Sequence, residues 1–472
     1  MKHLEKIIGI GMLLFAVGFN LWLYRLEPTS LIDPNDNAFQ FALVDRTNQI
    51  WDFASKKCST NIFCFTSYLV DHWVPNWAQG YNLPFYYSHI PQILIVFSFR
   101  VLQLFTFHFS LFTYYHWVIF FLMSLFPLSV FLALRVIKLP WLAAGIGAIL
   151  ASQISTDGLY GLDPPSFLFR GWGLSSQLFA MIWLPLAIAY AWNYFKGKSP
   201  LFPAVFFLTA TTMGHLGIGF IAMLSLIPLA LTRPLNKLKE TVPKLIFLGG
   251  TTIFFLSYWI IPIFLTNDYH NVSFWDPVWK FDSYGWRLTM DRLLNGELFD
   301  WGRFPTLTML VFVGIFVSIA SDYFAFALLF IFWLLLYFGR TTWGGLIDFI
   351  PGMSEFHMSR FIVGLHLAGL FLVPIAVSWV VSLLPKRFSL FAYLFIGIFV
   401  YFAIYPQTIR YAQHNDVLIN QANEMYKTVQ PDLDTLFTTL KQLQKEKPGR
   451  IYAGRGGNWG KDFKVAETNY FM

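Results

Sequence analysis

Charge is what this sequence has least of. Only 12% of its 472 residues are Asp, Glu, Lys or Arg, against about 25% in a soluble globular chain. The apolar runs that fill the space are too long and too unalternating for barrel strands, which leaves α-helices as the spanning structure. Cysteine is nearly absent. Cys58 and Cys64 are too few for a disulfide framework or a cysteine metal site. Two readings of them stand: a disulfide closing a short turn outside the cytoplasm, or two free thiols. No basic cluster is interleaved with aromatics outside the apolar segments, and the net charge of +7 is modest. Nucleic acid is therefore not an expected partner. There is no HExxH and no GxSxG. Gly454 to Lys461 looks like a phosphate loop but lacks its spacing, and Asp462 stands where Ser or Thr is required. No span carries the regular arginines of a voltage sensor.

What is abundant is apolar and aromatic, at 56% and 20%, with a mean hydropathy of +0.54. The expected fold is an all-α polytopic membrane protein. A span needs about 20 apolar residues, and eleven segments qualify or nearly do: 7–24, 113–136, 140–154, 176–194, 201–214, 216–232, 245–265, 305–320, 323–338, 360–383 and 388–405. Segment 91–107 is apolar but interrupted by Gln92, Arg100 and Gln103. Lying on the outer surface, it leaves Arg135, Lys138, Lys196, Lys198, Arg233, Lys237, Lys239, Lys244, Lys386 and Arg387 inside, as the positive-inside rule prefers. The N-terminus is then cytoplasmic, the C-terminus extracytoplasmic, and the localisation the plasma membrane. No small-x-small site follows the first segment, so it reads as a retained helix. Residues 1–405 form the membrane domain. Residues 406–472 turn polar, with a helical stretch near 417–447 and a short strand at 449–453. They read as the start of an α/β extracytoplasmic domain that continues beyond a truncated end.

The first extracytoplasmic loop, 25–112, gathers the chemistry. Asp33 and Asp36 flank a proline turn just past the first helix. Two such carboxylates can converge on one hydroxyl proton or one cation, or simply bond their own backbone. Asp71, His72, Trp73, Trp77, Tyr81 and His89 follow. Aromatic faces stack on the C–H faces of sugars, while an interfacial aromatic belt would use the same residues without any ligand. In later outer loops, Arg170 suits a phosphate or an aspartate partner such as Asp157 or Asp163. His215 sits between two apolar runs, as a ligand or as a capped turn. Arg360 opens a long apolar helix, where it binds a lipid phosphate or snorkels.

This layout resembles the GT-C superfamily of membrane glycosyltransferases: one helix, a large acidic outer loop, about ten more spans and an outer C-terminal domain. Trp73, Trp77, Gly80, Tyr81, Pro84, Phe85, Tyr86 and Tyr87, with His215 and the Ser359-Arg360-Phe361 helix start, resemble prokaryotic membrane proteins labelled "6-pyruvoyl-tetrahydropterin synthase-related". That label implies no pterin chemistry here. The resemblance implies transfer of a sugar from a polyprenyl-phosphate donor to an outer acceptor, with inversion. Asp33 or Asp36 would be the base, Asp71 and His72 would assist or hold a divalent cation, and Arg360 or Arg170 would take the donor phosphate. The sequence departs from the commonest family pattern in having no Asp-x-Asp in the loop. Competing classes are a transporter or flippase of a lipid-linked substrate and a non-catalytic protein of envelope polysaccharide assembly.

Overall fold

Each of the eleven expected apolar segments is built on an α-helix in the computed structural model. The structure describes all residues except 1, 33–35, 76–79, 86, 106–109, 159–160, 165–174, 232–237, 267–277, 351, 354–355, 450–463, 466–467 and 470–472. In chain order the elements are α1 (Lys2–Leu23), α2 (Asp36–Cys58), α3 (Ile62–Val70), β1 (His72–Val74), β2 (Tyr81–Leu83), α4 (Ile90–Gln103), α5 (Leu111–Val136) and α6 (Trp141–Leu150). There follow α7 (Ser175–Phe195), α8 (Leu201–Gly214), α9 (Leu216–Ala230), α10 (Leu238–Leu265), α11 (Val278–Asp282), α12 (Gly285–Leu294), α13 (Thr306–Ile319) and α14 (Phe324–Tyr337). The last are α15 (Arg340–Trp343), α16 (Ile362–Ser382), α17 (Lys386–Glu446), β3 (Lys464–Val465) and β4 (Thr468–Asn469).

Six helices among the described residues are long and apolar enough to cross a bilayer, or seven if the pair Phe324–Tyr337 and Arg340–Phe349, bent by 73°, is one span. The expected count of eleven is not reached on these grounds. Helices α6, α8, α9 and α13 have 10, 14, 15 and 14 residues. At 1.5 Å per residue none matches a hydrocarbon core of about 30 Å. The bend after α14 falls at Gly339, whose φ is +65° and where a Cβ would meet the Asp282 carbonyl oxygen at 2.1 Å. Helix α4 has 14 residues, too few for a span.

The chain divides into two compact units. Unit 1 comprises Met1–Leu23, Phe121–Ser166 and Ser176–Arg410. Its centre is α16, buried continuously from Ile362 to Val377 and packed against α6, α9, α13 and α14. Close packing of apolar helices depends on small residues. A Cβ at Gly9 of α1 would meet the Trp141 carbonyl oxygen at 2.5 Å, and one at Gly314 of α13 would meet that of Leu372 at 2.4 Å. Outward faces keep large apolar side chains exposed, among them Phe254 and Leu265 on α10, Phe316 on α13 and Phe391 on α17. Such a surface suits lipid rather than water.

Unit 2 comprises Tyr24–Phe120, Phe167–Ser175 and Tyr411–Met472. Helix α2 packs on α3, α4 and β1, and the antiparallel β1–β2 pair sets His72 opposite Leu83 and Val74 opposite Tyr81. Phe39, Leu43, Val74 and Leu83 form its core beneath the hairpin. A disulfide joins Cys58 at the end of α2 to Cys64 in α3, with Cα atoms 5.5 Å apart. Helix α17 runs unbroken through Pro406, and the division between the two compact units falls within it, after Arg410. The expected strand at 449–453 lies almost wholly outside the described residues. The described strands there are β3 and β4, which pair antiparallel.

Candidate functional site

The residues expected to act fall into three places. The first is the hairpin of unit 2. Asp33 and Trp77 lie outside the described residues, and Asp36 is the first residue of α2, its side chain also outside them. Asp71 ends α3 and is exposed. Its carboxylate accepts from Asn82 Nδ2 at 3.0 Å. Successive strand residues point to opposite faces, so His72 turns inward to 5% exposure while Trp73 is 48% exposed. Arg46 of α2 donates to the Trp73 carbonyl at 2.9 Å, tying the hairpin to the helix. The Trp73 indole lies against Gly80, whose φ of +100° and lack of a Cβ make room for the ring. His72 Nδ1 meets the Tyr68 carbonyl at 3.1 Å. A carbonyl only accepts, so Nδ1 carries the proton. Burial is the main cause that pulls the His72 pKa down to about 4, with Arg46 nearby pushing the same way. His89, at the start of α4, is also pulled down to about 4, first by burial and then by His72. Both rings are neutral at pH 7. Tyr81 is half-buried against the same core.

The expectation that Asp71 and His72 together hold a cation does not fit this geometry, because one is solvent-facing and the other points into the core. Among the described residues no group of three or more His, Cys, Asp or Glu could hold a metal ion.

The second place is in unit 1, where α8, α9 and the start of α16 meet. His215 separates α8 from α9 and caps α9, its Nδ1 accepting from Ile218 N–H at 3.2 Å. The ring proton is therefore on Nε2. The Arg360 guanidinium lies within electrostatic reach of this imidazole. Phe356 stacks on Phe361 and packs against Phe220, with centroids 5.0 and 5.1 Å apart. Two of the expected ligand-binding residues, far apart in sequence, thus lie within electrostatic reach of one another. The expected third cation, Arg170, lies outside the described residues.

The third place was not anticipated as a cluster. The loop after α6 is pinned to the segment after α12: Ser155 N–H donates to the Phe299 carbonyl at 2.9 Å and Trp301 N–H to the Ser155 carbonyl at 3.0 Å. Asp300 accepts from Thr308 N–H and Oγ1 at 2.8 and 2.9 Å and pairs with Arg303 at 3.0 Å. On this platform Asp163 is fully buried and accepts from Thr156 Oγ1 at 2.7 Å. His366 accepts from Leu162 N–H at 2.9 Å and meets the Leu298 carbonyl at 2.8 Å. With both ring nitrogens committed, His366 is a neutral clamp. Asp157 lies 3.8 Å from Arg292 of α12. Burial raises its pKa, and Arg292 opposes the shift.

One further pair was missed. Glu27, in the 3-10 turn after α1, meets His116 of α5 at 2.9 Å, with side chains 9% and 1% exposed. Both signals were present: a carboxylate closer to the first helix than Asp33, and a histidine inside an apolar segment, where an ionisable group demands a partner.

No family model matches the chain, and no curated protein matches it. Among solved structures it is similar to the oligosaccharyltransferase of Archaeoglobus fulgidus, tethered with an acceptor peptide containing the NVT sequon via a disulfide bond. The identity is 15% and the TM-score 0.49, over 87% of this chain and 55% of that one. The chain thus spans about half the length of that protein.

Proposed function

We propose that this chain is a GT-C-type membrane glycosyltransferase. It moves a sugar from a polyprenyl-phosphate donor to an acceptor hydroxyl on the extracytoplasmic face. The single observation that supports the reading is that the Arg360 guanidinium lies within electrostatic reach of His215. Arg360 offers a guanidinium fork that matches phosphate geometry, and His215 offers a neutral Nε2–H donor. Phe220, Phe356 and Phe361 beside them form an apolar bed suited to a lipid chain.

In the reaction Asp33 or Asp36 takes the acceptor hydroxyl proton. The acceptor oxygen bonds the anomeric carbon, and the bond from that carbon to the donor phosphate oxygen breaks. Polyprenyl phosphate leaves with the electron pair, and Arg360 steadies its charge. One displacement inverts the anomeric centre. Trp73, Trp77, Tyr81 and His89 would line the acceptor approach, Asp71 and His72 would support it, and Arg170 would be a second phosphate ligand. Membrane lipids surround unit 1.

The test is turnover of the purified full chain with a panel of polyprenyl-phosphate sugars. Arg360→Ala should lower turnover by two to three orders of magnitude, the scale of one electrostatic contact in a transition state. Asp33→Asn and Asp36→Asn are the test of the base. Full activity in both would overturn that assignment, and no turnover with any donor would overturn the transferase reading.

A further inference from the structure

Three helices of unit 1 start at one end of it and run side by side. Gly9 of α1 lies against the Trp141 carbonyl at the start of α6, and Met12 against Gly145 of α6 and Gly397 of α17. Phe15 then meets Tyr401 of α17, with ring centroids 6.1 Å apart. The contacts advance together along all three, so α1, α6 and α17 are parallel. Each start carries cations: Lys6 on α1, Arg135 and Lys138 just before α6, Lys386 and Arg387 on α17. This is the end that the positive-inside rule assigns to the cytoplasm.

Trp141 is the centre of that end. The Arg135 guanidinium carbon lies 4.1 Å from its ring centroid and Lys6 Nζ 5.4 Å. The indole attracts each cation, but the two like charges repel one another. Among the described residues no carboxylate pairs with either. Arg135 gives Nη1 to the Leu139 carbonyl, and Lys6 is exposed. Glu5 lies within electrostatic reach of Tyr393 on α17. Helix α6 begins after Pro140 without a side-chain cap, so its dipole adds to the positive field. The group that would balance these charges is an anion.

Farther along the same helices lies an apolar groove of about 290 Å³, lined by Met12 and Phe15 of α1, Ile149 of α6, and Gly397, Tyr401 and Phe402 of α17 among others. Phe15, Tyr401 and Phe402 are exposed, so the groove opens outward. Lys6 and Met12 are six residues apart, about 9 Å along the helix at 1.5 Å per residue. A groove for a chain thus begins a short way from two cations that have no counter-charge.

We propose that this end of unit 1 binds an anionic phospholipid, its phosphate against Lys6 and Arg135 and an acyl chain in the groove. Basic pockets between membrane helices take anionic head groups in this way. A free phosphate would use the cations and leave the groove empty. A zwitterionic lipid would bring a third cation to the two already there. The site uses none of the residues of the transfer scheme and does not rest on it.

The experiment is native mass spectrometry of the detergent-purified, delipidated full chain with dioleoyl phosphatidylglycerol, dioleoyl phosphatidylcholine and inorganic phosphate. Phosphatidylglycerol should bind at least tenfold more tightly than phosphatidylcholine. Lys6→Gln should weaken phosphatidylglycerol about fivefold, the scale of one cation at a lipid surface, and leave phosphatidylcholine unchanged. Its thermal midpoint without lipid should match the wild type. Adding Arg135→Gln should remove the preference. Gly397→Leu fills the groove and keeps every charge, so it should weaken both lipids; the nearest atom to its new Cβ is the flexible end of Met12, at 3.2 Å. The site is overturned if phosphatidylcholine binds as tightly as phosphatidylglycerol, or if Lys6→Gln or Gly397→Leu binds phosphatidylglycerol as the wild type does. Displacement of phosphatidylglycerol by an equal concentration of inorganic phosphate would overturn it too, leaving an ion site only.

Discussion

His116 of α5 meets the Glu27 carboxylate at 2.9 Å with both side chains buried. This pair ties the turn after α1 to the start of α5 inside unit 2. Removing one partner strands the other in a medium that cannot hydrate it, at a cost of about 3–5 kcal/mol. Glu27→Ala should lower the thermal midpoint sharply. Glu27→Gln keeps an acceptor for the imidazole and should lower it less. Equal midpoints for Glu27→Ala and the wild type in a thermal scan would show that the pair holds nothing.

Acid should loosen the hairpin. His72 and His89 titrate near 4 in the fold and near 6.5 when unfolded. Between those values the unfolded chain binds more protons, so stability rises with pH across the window and is lost as pH falls from 6.5 toward 4. Each ring contributes roughly 3 kcal/mol over that range. Thermal midpoints read at pH 7.5, 6 and 5 should fall in that order, and His89→Gln should flatten the decline. A midpoint that does not move between pH 7.5 and 5 would mean the rings are not buried neutral.

The Cys58–Cys64 bond closes a turn between α2 and α3. A loop this short restricts the unfolded chain only modestly, by about 2 kcal/mol in the chain-entropy view. The paired substitution Cys58→Ser and Cys64→Ser should therefore lower the midpoint by a few degrees while leaving the helices formed. Circular dichroism with and without reductant checks both parts. A loss of helical signal on reduction would make the bond a folding requirement instead.

How much of this was readable beforehand depends on the distance over which the physics acts. Run length and apolarity are local, so the helices at 113–136, 176–194 and 360–383 could be read residue by residue. At Pro406, which removes one N–H, the neighbouring turns of α17 carry the helix through. The hairpin at 72–83 was read as an aromatic loop, since three-residue strands leave no usable alternation. Glu27 with His116, Asp157 with Arg292 and His366 with Leu162 are pairings that only tertiary packing decides. His215 and Arg360 could be named, and set on one outer face, because an ionisable group beside an apolar run is conspicuous and the basic residues fix orientation, but how near they come could not.

His215 serves two purposes that one substitution would confound. It caps α9 through Nδ1, and in the proposed transfer it donates from Nε2. Loss of an N-cap costs about 1 kcal/mol, so His215→Ala should lower both the midpoint and the turnover. His215→Ser and His215→Asn restore a capping oxygen without a ring proton on the far side. Both should recover the thermal midpoint and leave turnover low, with KM for the donor lipid raised more than kcat is reduced. If His215→Ser instead turns over at the wild-type rate, the histidine is a cap alone. Arg360 would then hold the donor phosphate without it.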